Sequence, residues 1–89
     1  MLEFKSKINN KIGMHLRAAG EFVKVANKFS SRISVVMNGK KADGKSILGL
    51  ASLAIGRGAT ITISIDGKDE SEAKVALQNL IKNNFFEDD

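Results

Sequence analysis

His15 is the only histidine of this 89-residue chain, and it stands immediately before a stretch in which Leu16, Ala19, Phe22, Val23, Ala26 and Phe29 recur at the spacing of one buried helix face. Arg17, Glu21, Lys24 and Lys28 fall on the opposite face. The spacing predicts a helix that begins at Leu16 and ends near Lys28 to Ser30, with His15 at its N-terminus. There the N–H groups of Leu16, Arg17 and Ala18 have no carbonyl partner within the helix, and the macrodipole is positive. An anionic adduct on the imidazole would be stabilised at that place. Arg17 adds a permanent positive charge in the first turn, with a donor fork suited to phosphoryl oxygens. Residues two apart do not share a helix face. At an open end, however, a long side chain folds over the terminus, so the pair reads as an anion and phosphoryl site. The alternative is a surface histidine with no chemistry.

Ser46 opens a second apolar run, Ile47, Leu48, Leu50, Ala51, Leu53 and Ala54, which Gly56-Arg57-Gly58 is expected to stop. Its hydroxyl suits an N-cap, and a regulatory phosphate fits the same place, with Lys45 beside it. Apolar residues cover most of this short helix. Ile47 and Leu48, at its exposed end, are therefore candidates for contact with a partner, against simple packing into the core.

One motif points elsewhere. Gly39-Lys40-Lys41-Ala42-Asp43-Gly44-Lys45-Ser46 satisfies G-x-x-x-x-G-K-[ST] and lies between a strand pattern and a helix pattern, as a nucleotide-binding phosphate loop does. Against it, Asn38-Gly39 already specifies a hairpin, the following helix is short, and the chain offers no buried parallel sheet. Asp66 ends an isoleucine strand as a magnesium-binding aspartate would, but Thr60, Thr62 and Ser64 make one face of that strand wet.

The elements that must carry these residues follow from period. Leu2, Phe4 and Ile8 alternate with Glu3, Lys5 and Lys7 in a first strand, and Asn9 to Gly13 form the loop that delivers His15. Ile33, Val35 and Met37 make a second strand, turned by Asn38-Gly39 into Lys40-Lys41-Ala42. Ile61, Ile63 and Ile65 alternate with Thr60, Thr62 and Ser64 up to an Asp66-Gly67 turn. Asp69, with Glu72 three residues on, resembles a capping box for a last helix that buries Ala73, Ala76, Leu77, Leu80 and Ile81. Phe85 and Phe86 then precede an acidic tail expected to fray. The order is βαββαβα, and alternating strands argue for an antiparallel sheet with one face under helices, an α+β fold in a single domain, 1–89.

Composition narrows the chemistry. No cysteine is present and no histidines cluster, so a thiol nucleophile, disulfides and a metal site are not expected. The N-terminus has no signal-peptide core and no apolar run reaches a membrane span, which implies a cytoplasmic protein without membrane insertion. The net charge of +4 is uneven: up to Ile65 eleven Lys and Arg face three acids, and from Asp66 onward seven acids face three lysines. The basic front favours acidic or phosphate-bearing partners. Nucleic acid is the weaker option, for Trp and Tyr are absent as stacking platforms.

The segments GMHLRAA, GKSILGLASLAIGRG and TITISIDG, in the βαββαβα order, resemble the histidine-containing phosphocarrier (HPr) family of the bacterial phosphoenolpyruvate-dependent sugar phosphotransferase system, over nearly the whole chain. The resemblance implies an open-faced two-layer sandwich, a four-stranded antiparallel sheet with three helices on one face. It implies a monomeric carrier without cofactor rather than an enzyme, taking phosphoryl from phospho-enzyme I and handing it to IIA components. In the family the histidine of the first motif carries the group on Nδ1, the arginine assists, and the serine opening the second helix is a target of a regulatory kinase and phosphorylase; those roles map onto His15, Arg17 and Ser46. The family usually has proline where this chain has Ala18, an excellent helix former that keeps its N–H. Because His15 is present, paralogues that lack the histidine and act only as regulators fit less well; a nitrogen-linked branch of the same family remains an alternative.

Overall fold

The computed structural model describes residues 1–86. Four strands, β1 (Leu2–Lys7), β2 (Arg32–Met37), β3 (Lys40–Asp43) and β4 (Thr60–Asp66), alternate with three helices, α1 (Leu16–Ala26), α2 (Ile47–Ser52) and α3 (Glu70–Lys82), and a 3-10 turn closes the described chain at Asn84–Phe86. The strand order is β1-β4-β2-β3, and every neighbouring pair is antiparallel. Two-residue alternation makes the sheet two-faced. Phe4, Ile63 and Val35 lie opposite one another in one cross-strand row and Leu2, Ile65 and Ile33 in the next. With Ile8 and Ile61, all of these except the half-buried Leu2 meet Ala19, Phe22, Leu50, Leu77 and Leu80 of the helices in one buried core. The other face carries the rows Glu3, Ser64, Ser34, Asp43 and Lys5, Thr62, Val36, Lys41, and none of these residues except Val36, Ser34, Thr62 and Ser64 is even half-buried among the described residues. This is the open-faced two-layer α+β sandwich, βαββαβα, that the resemblance implies.

The hairpin settles the phosphate-loop motif. Asn38 and Gly39 have φ of 51° and 80°, the left-handed pair a two-residue turn requires. Lys40 to Asp43 then pair with β2, so half of the supposed loop is strand and cannot cradle phosphate.

The helices depart from expectation at their ends. Leu16 is 61% exposed, and Ala18 is buried in its place. Helical side chains lean toward the N-terminus, and the first residue has no preceding turn to lie on, so Leu16 projects past the helix end. α1 also stops at Ala26, where three-residue turns take over: Lys28 and Phe29 donate to the carbonyls of Val25 and Ala26 at 3.0 and 3.2 Å. α2 stops at Ser52, before the glycines. Ala54 makes the reversal at φ 53°, drawn into it by Leu53 and Ile55, which are both buried on either side.

The capping box at Asp69 does not form. Asp69 opens α3 but makes no side-chain bond to it. Its carboxylate instead accepts from the backbone N–H groups of Ser30 and Ser31, at 2.8 and 3.0 Å, and from both serine hydroxyls. Four donors outcompete one. These bonds, above all the Ser31 hydroxyl, hold the Asp69 carboxyl below its ordinary range. Glu70 does the reaching back, accepting the Gly67 N–H at 3.2 Å and pairing with the N-terminal ammonium at 3.1 Å. Within α3, Ala73, Leu77, Leu80 and Ile81 are buried as expected and Ala76 is half-buried. Phe85 is buried, and the acidic tail lies outside the described residues.

Candidate functional site

Ile8 is the last residue to pair with the β4 side, donating to the Ala59 carbonyl at 2.8 Å and accepting from Gly58 at 2.7 Å. The chain then leaves the sheet through a loop that is pinned from within and from across. Asn10, fully buried, donates from its amide to the Gly13 carbonyl at 2.6 Å. Met14, also buried, donates its N–H to the Ile55 carbonyl at 2.8 Å. Between them Gly13 takes φ 80°, and a Cβ there would lie 2.5 Å from the Ile55 oxygen. Only glycine lets the two loops approach so closely. His15 therefore stands on a rigid post, as a site that depends on geometry needs.

His15 is the N-cap of α1, with extended backbone and its carbonyl receiving the first intrahelical bond, from Ala19 at 2.8 Å. Its ring does what a serine or aspartate cap does: Nδ1 accepts the backbone N–H of Arg17 at 3.2 Å. Accepting that bond uses the Nδ1 lone pair, so the neutral ring holds its proton on Nε2. The nitrogen with the lone pair is thus the one turned toward the positive helix end. Leu16, Arg17 and Ala18 occupy the first three helical positions, whose N–H groups have no carbonyl four residues before them inside the helix. His15 is half-buried and Arg17 exposed.

Ser46 is the N-cap of α2. Its Oγ accepts the Gly49 N–H at 3.0 Å and its carbonyl the Leu50 N–H, also at 3.0 Å. Lys45 does not stand ready for a phosphate there: its ammonium donates to the Phe29 carbonyl at 2.7 Å, placing a positive charge at the exit of α1. Asp43 accepts the Lys45 N–H at 2.9 Å and fixes the turn. Ile47 and Leu48 are 41% and 77% exposed. The structure adds two residues the sequence reading did not place with them, Ile12 at 67% and Leu16, on the loop and first turn beside His15. α1 and α2 pack on each other, so Leu16 belongs to the same helical layer as Ile47 and Leu48. A signal for Leu16 was its place at the first helical position; Ile12 had none. Among the described residues no group of His, Cys, Asp and Glu converges as metal ligands do.

The family model described as PTS HPr component phosphorylation site matches residues 2–83. The phosphocarrier protein HPr of Cupriavidus necator is 44% identical over 87 residues, with 98% of each chain covered. The HPr-like protein Crh of Halalkalibacterium halodurans is 48% identical over 77 residues, covering 86% of this chain and 92% of that one. Among solved structures, HPr from Thermoanaerobacter tengcongensis superposes with a TM-score of 0.94 at 44% identity, over 99% of both chains.

Proposed function

The chain belongs to the HPr family of phosphotransferase-system phosphocarriers, and on that premise we propose that it carries its phosphoryl group on Nδ1 of His15. The observation that supports the assignment is the hydrogen bond from the Arg17 N–H to Nδ1. The lone pair that would attack phosphorus is held at the N-terminus of α1 while Nε2 keeps its proton. In the transfer the P–N bond of phospho-enzyme I breaks as a P–Nδ1 bond forms. The Arg17 N–H then passes from Nδ1 to a phosphoryl oxygen, with the N–H groups of Leu16 and Ala18 beside it. The Arg17 guanidinium covers the remaining charge. A carrier leaves most transition-state stabilisation to its partners, which suits a half-buried ring at an open helix end. It then hands the group to IIA components, one chain being the working unit.

Ile47 and Leu48, with Ile12 and Leu16, form the apolar part of the surface that docks on these partners, the basic side chains of α1 its charged part. Ser46 supports a second, compatible reading. With Lys45 held by the Phe29 carbonyl, a phosphate on Ser46 sets charge beside Ile47 and Leu48, which weakens docking by desolvation and by repulsion from an acidic partner.

Incubation with phosphoenolpyruvate and enzyme I tests the main reading. The expected product has one acid-labile, base-stable phosphoryl group, assigned to Nδ1 by phosphorus and nitrogen NMR. A stable phosphoryl on the His15→Ala protein under the same conditions would refute it.

A further inference from the structure

A second surface lies at the other edge of the layer, between β1 and α3. Among the described residues β1 is an edge strand, bonded only to β4. Ile8 turns both backbone groups toward the β4 side, so by the two-residue alternation of an antiparallel ladder the N–H and C=O of Lys5 and Lys7 point out of the sheet. Alongside that edge runs a groove of about 310 Å³, lined by Phe4, Lys5 and Lys7 on the strand side and Gln78, Ile81 and Lys82 on the helix side, with no acid in its lining among the described residues. Among the described residues the ammonium groups of Lys5, Lys7 and Lys82 have neither a hydrogen bond nor an ion pair.

We propose that this groove takes an extended acidic segment of a partner protein by strand addition. The argument is one of register. A chain laid antiparallel or parallel on β1 pairs its backbone with Lys5 and Lys7 and turns alternate side chains to opposite faces. Those on the open face of the sheet come beside the Lys5 and Lys7 side chains, where carboxylates are favoured as cross-strand partners. Those on the other face come over Phe4 and Ile81, where apolar groups are favoured, with the Lys82 ammonium at the helix end. The groove thus selects an alternation of acid and apolar residues. Edge lysines also guard a sheet against pairing with copies of itself. That role explains repulsion of a basic or neutral strand, and an acidic one is the class it does not repel.

The probe is an acetylated, amidated seven-residue peptide alternating valine and glutamate, added to the nitrogen-15-labelled full chain. Saturable amide shifts are expected at Lys5, Lys7, Gln78 and Ile81. A valine–lysine peptide should give none. Proline at the central position, which removes an N–H, should weaken binding about tenfold, as should the Lys5→Glu/Lys7→Glu double variant, whose acceptance of phosphoryl on His15 stays at the wild-type rate. Shifts centred on His15 and Arg17, equal binding of the proline peptide, or indifference to the double variant would overturn the proposal. So would β1 shifts on concentrating the chain alone, which would make the occupant a second copy.

Discussion

α1 and α3 both open on a side chain that accepts hydrogen bonds, and they use it in opposite ways. His15 spends its Nδ1 on its own helix, two residues away, on a half-buried ring. Asp69 gives its own helix nothing and grips Ser30 and Ser31, 39 and 38 residues distant in sequence. A bond to a neighbouring N–H in an exposed turn is exchangeable without disturbing the packing. A carboxylate that gathers four donors from another loop is a fold clamp. The first kind of helix start leaves its acceptor available for the proposed phosphoryl transfer, and the second holds the fold together.

The widest separation is expected for His15→Ala, which should abolish phosphoryl acceptance while costing roughly 0.5 to 2 kcal/mol as a lost cap. Intact mass after incubation with enzyme I, and denaturant unfolding, measure the two halves. Arg17→Ala should slow transfer about ten- to a hundredfold, the equivalent of one lost bond to a charged group, with the fold unchanged. Lysine should restore only part, and stopped-flow transfer kinetics decide it.

Asp69→Asn reverses the pattern: wild-type transfer, lower thermal midpoint and an altered acid limb. Its carboxyl is held low in the folded chain, chiefly by the Ser31 hydroxyl and then by the Ser30 N–H. The stabilisation is therefore complete above the unfolded aspartate value of about 3.9 and is lost as pH falls through the lower folded value. Thermal midpoints between neutral pH and about pH 2 should converge for wild type and Asp69→Asn as acid is added. Parallel curves would show that the carboxylate charge contributes nothing to the clamp.

The smallest change is expected at Ser46, whose α2 cap lies between the two types. Ser46→Ala should destabilise by roughly 0.5 to 2 kcal/mol, and Ser46→Asp should keep full stability because aspartate caps well and complements the dipole. Its affinity for enzyme I should nevertheless fall, measured by calorimetry. Wild-type affinity would leave Ser46 as a cap alone.

What the residues disclosed in advance divides along the same line. Strands were legible because alternation reports burial one residue at a time, and Asn38-Gly39 because both turn positions need left-handed backbone. The place of His15 and Arg17 at the start of α1 was legible because a helix start is written locally, in the onset of the apolar period at Leu16. Leu16 itself was misjudged: period alone does not show that the first residue has no turn beneath it. The Asp69 clamp was invisible, since a capping box is the local solution and its competitor lay in a distant loop. So was the support of the site, because nothing near Gly13 announces the Ile55 carbonyl pressed against it. The end of α2 is not written in its glycines: Leu53 and Ile55 are buried on either side of Ala54, which makes the turn before Gly56 is reached.

The Nδ1 cap has a consequence for reversibility. The Arg17 N–H has an acceptor in the empty chain, and in the proposed loaded state a phosphoryl oxygen takes that place. Neither direction of hand-over then has to melt or rebuild the first turn of α1, whose frame is independently closed by the Ala19 bond to the His15 carbonyl. Donor and acceptor would meet nearly the same backbone, and little of the transfer potential of the P–N bond would be drained into refolding the courier. The group can leave almost as energetic as it arrived.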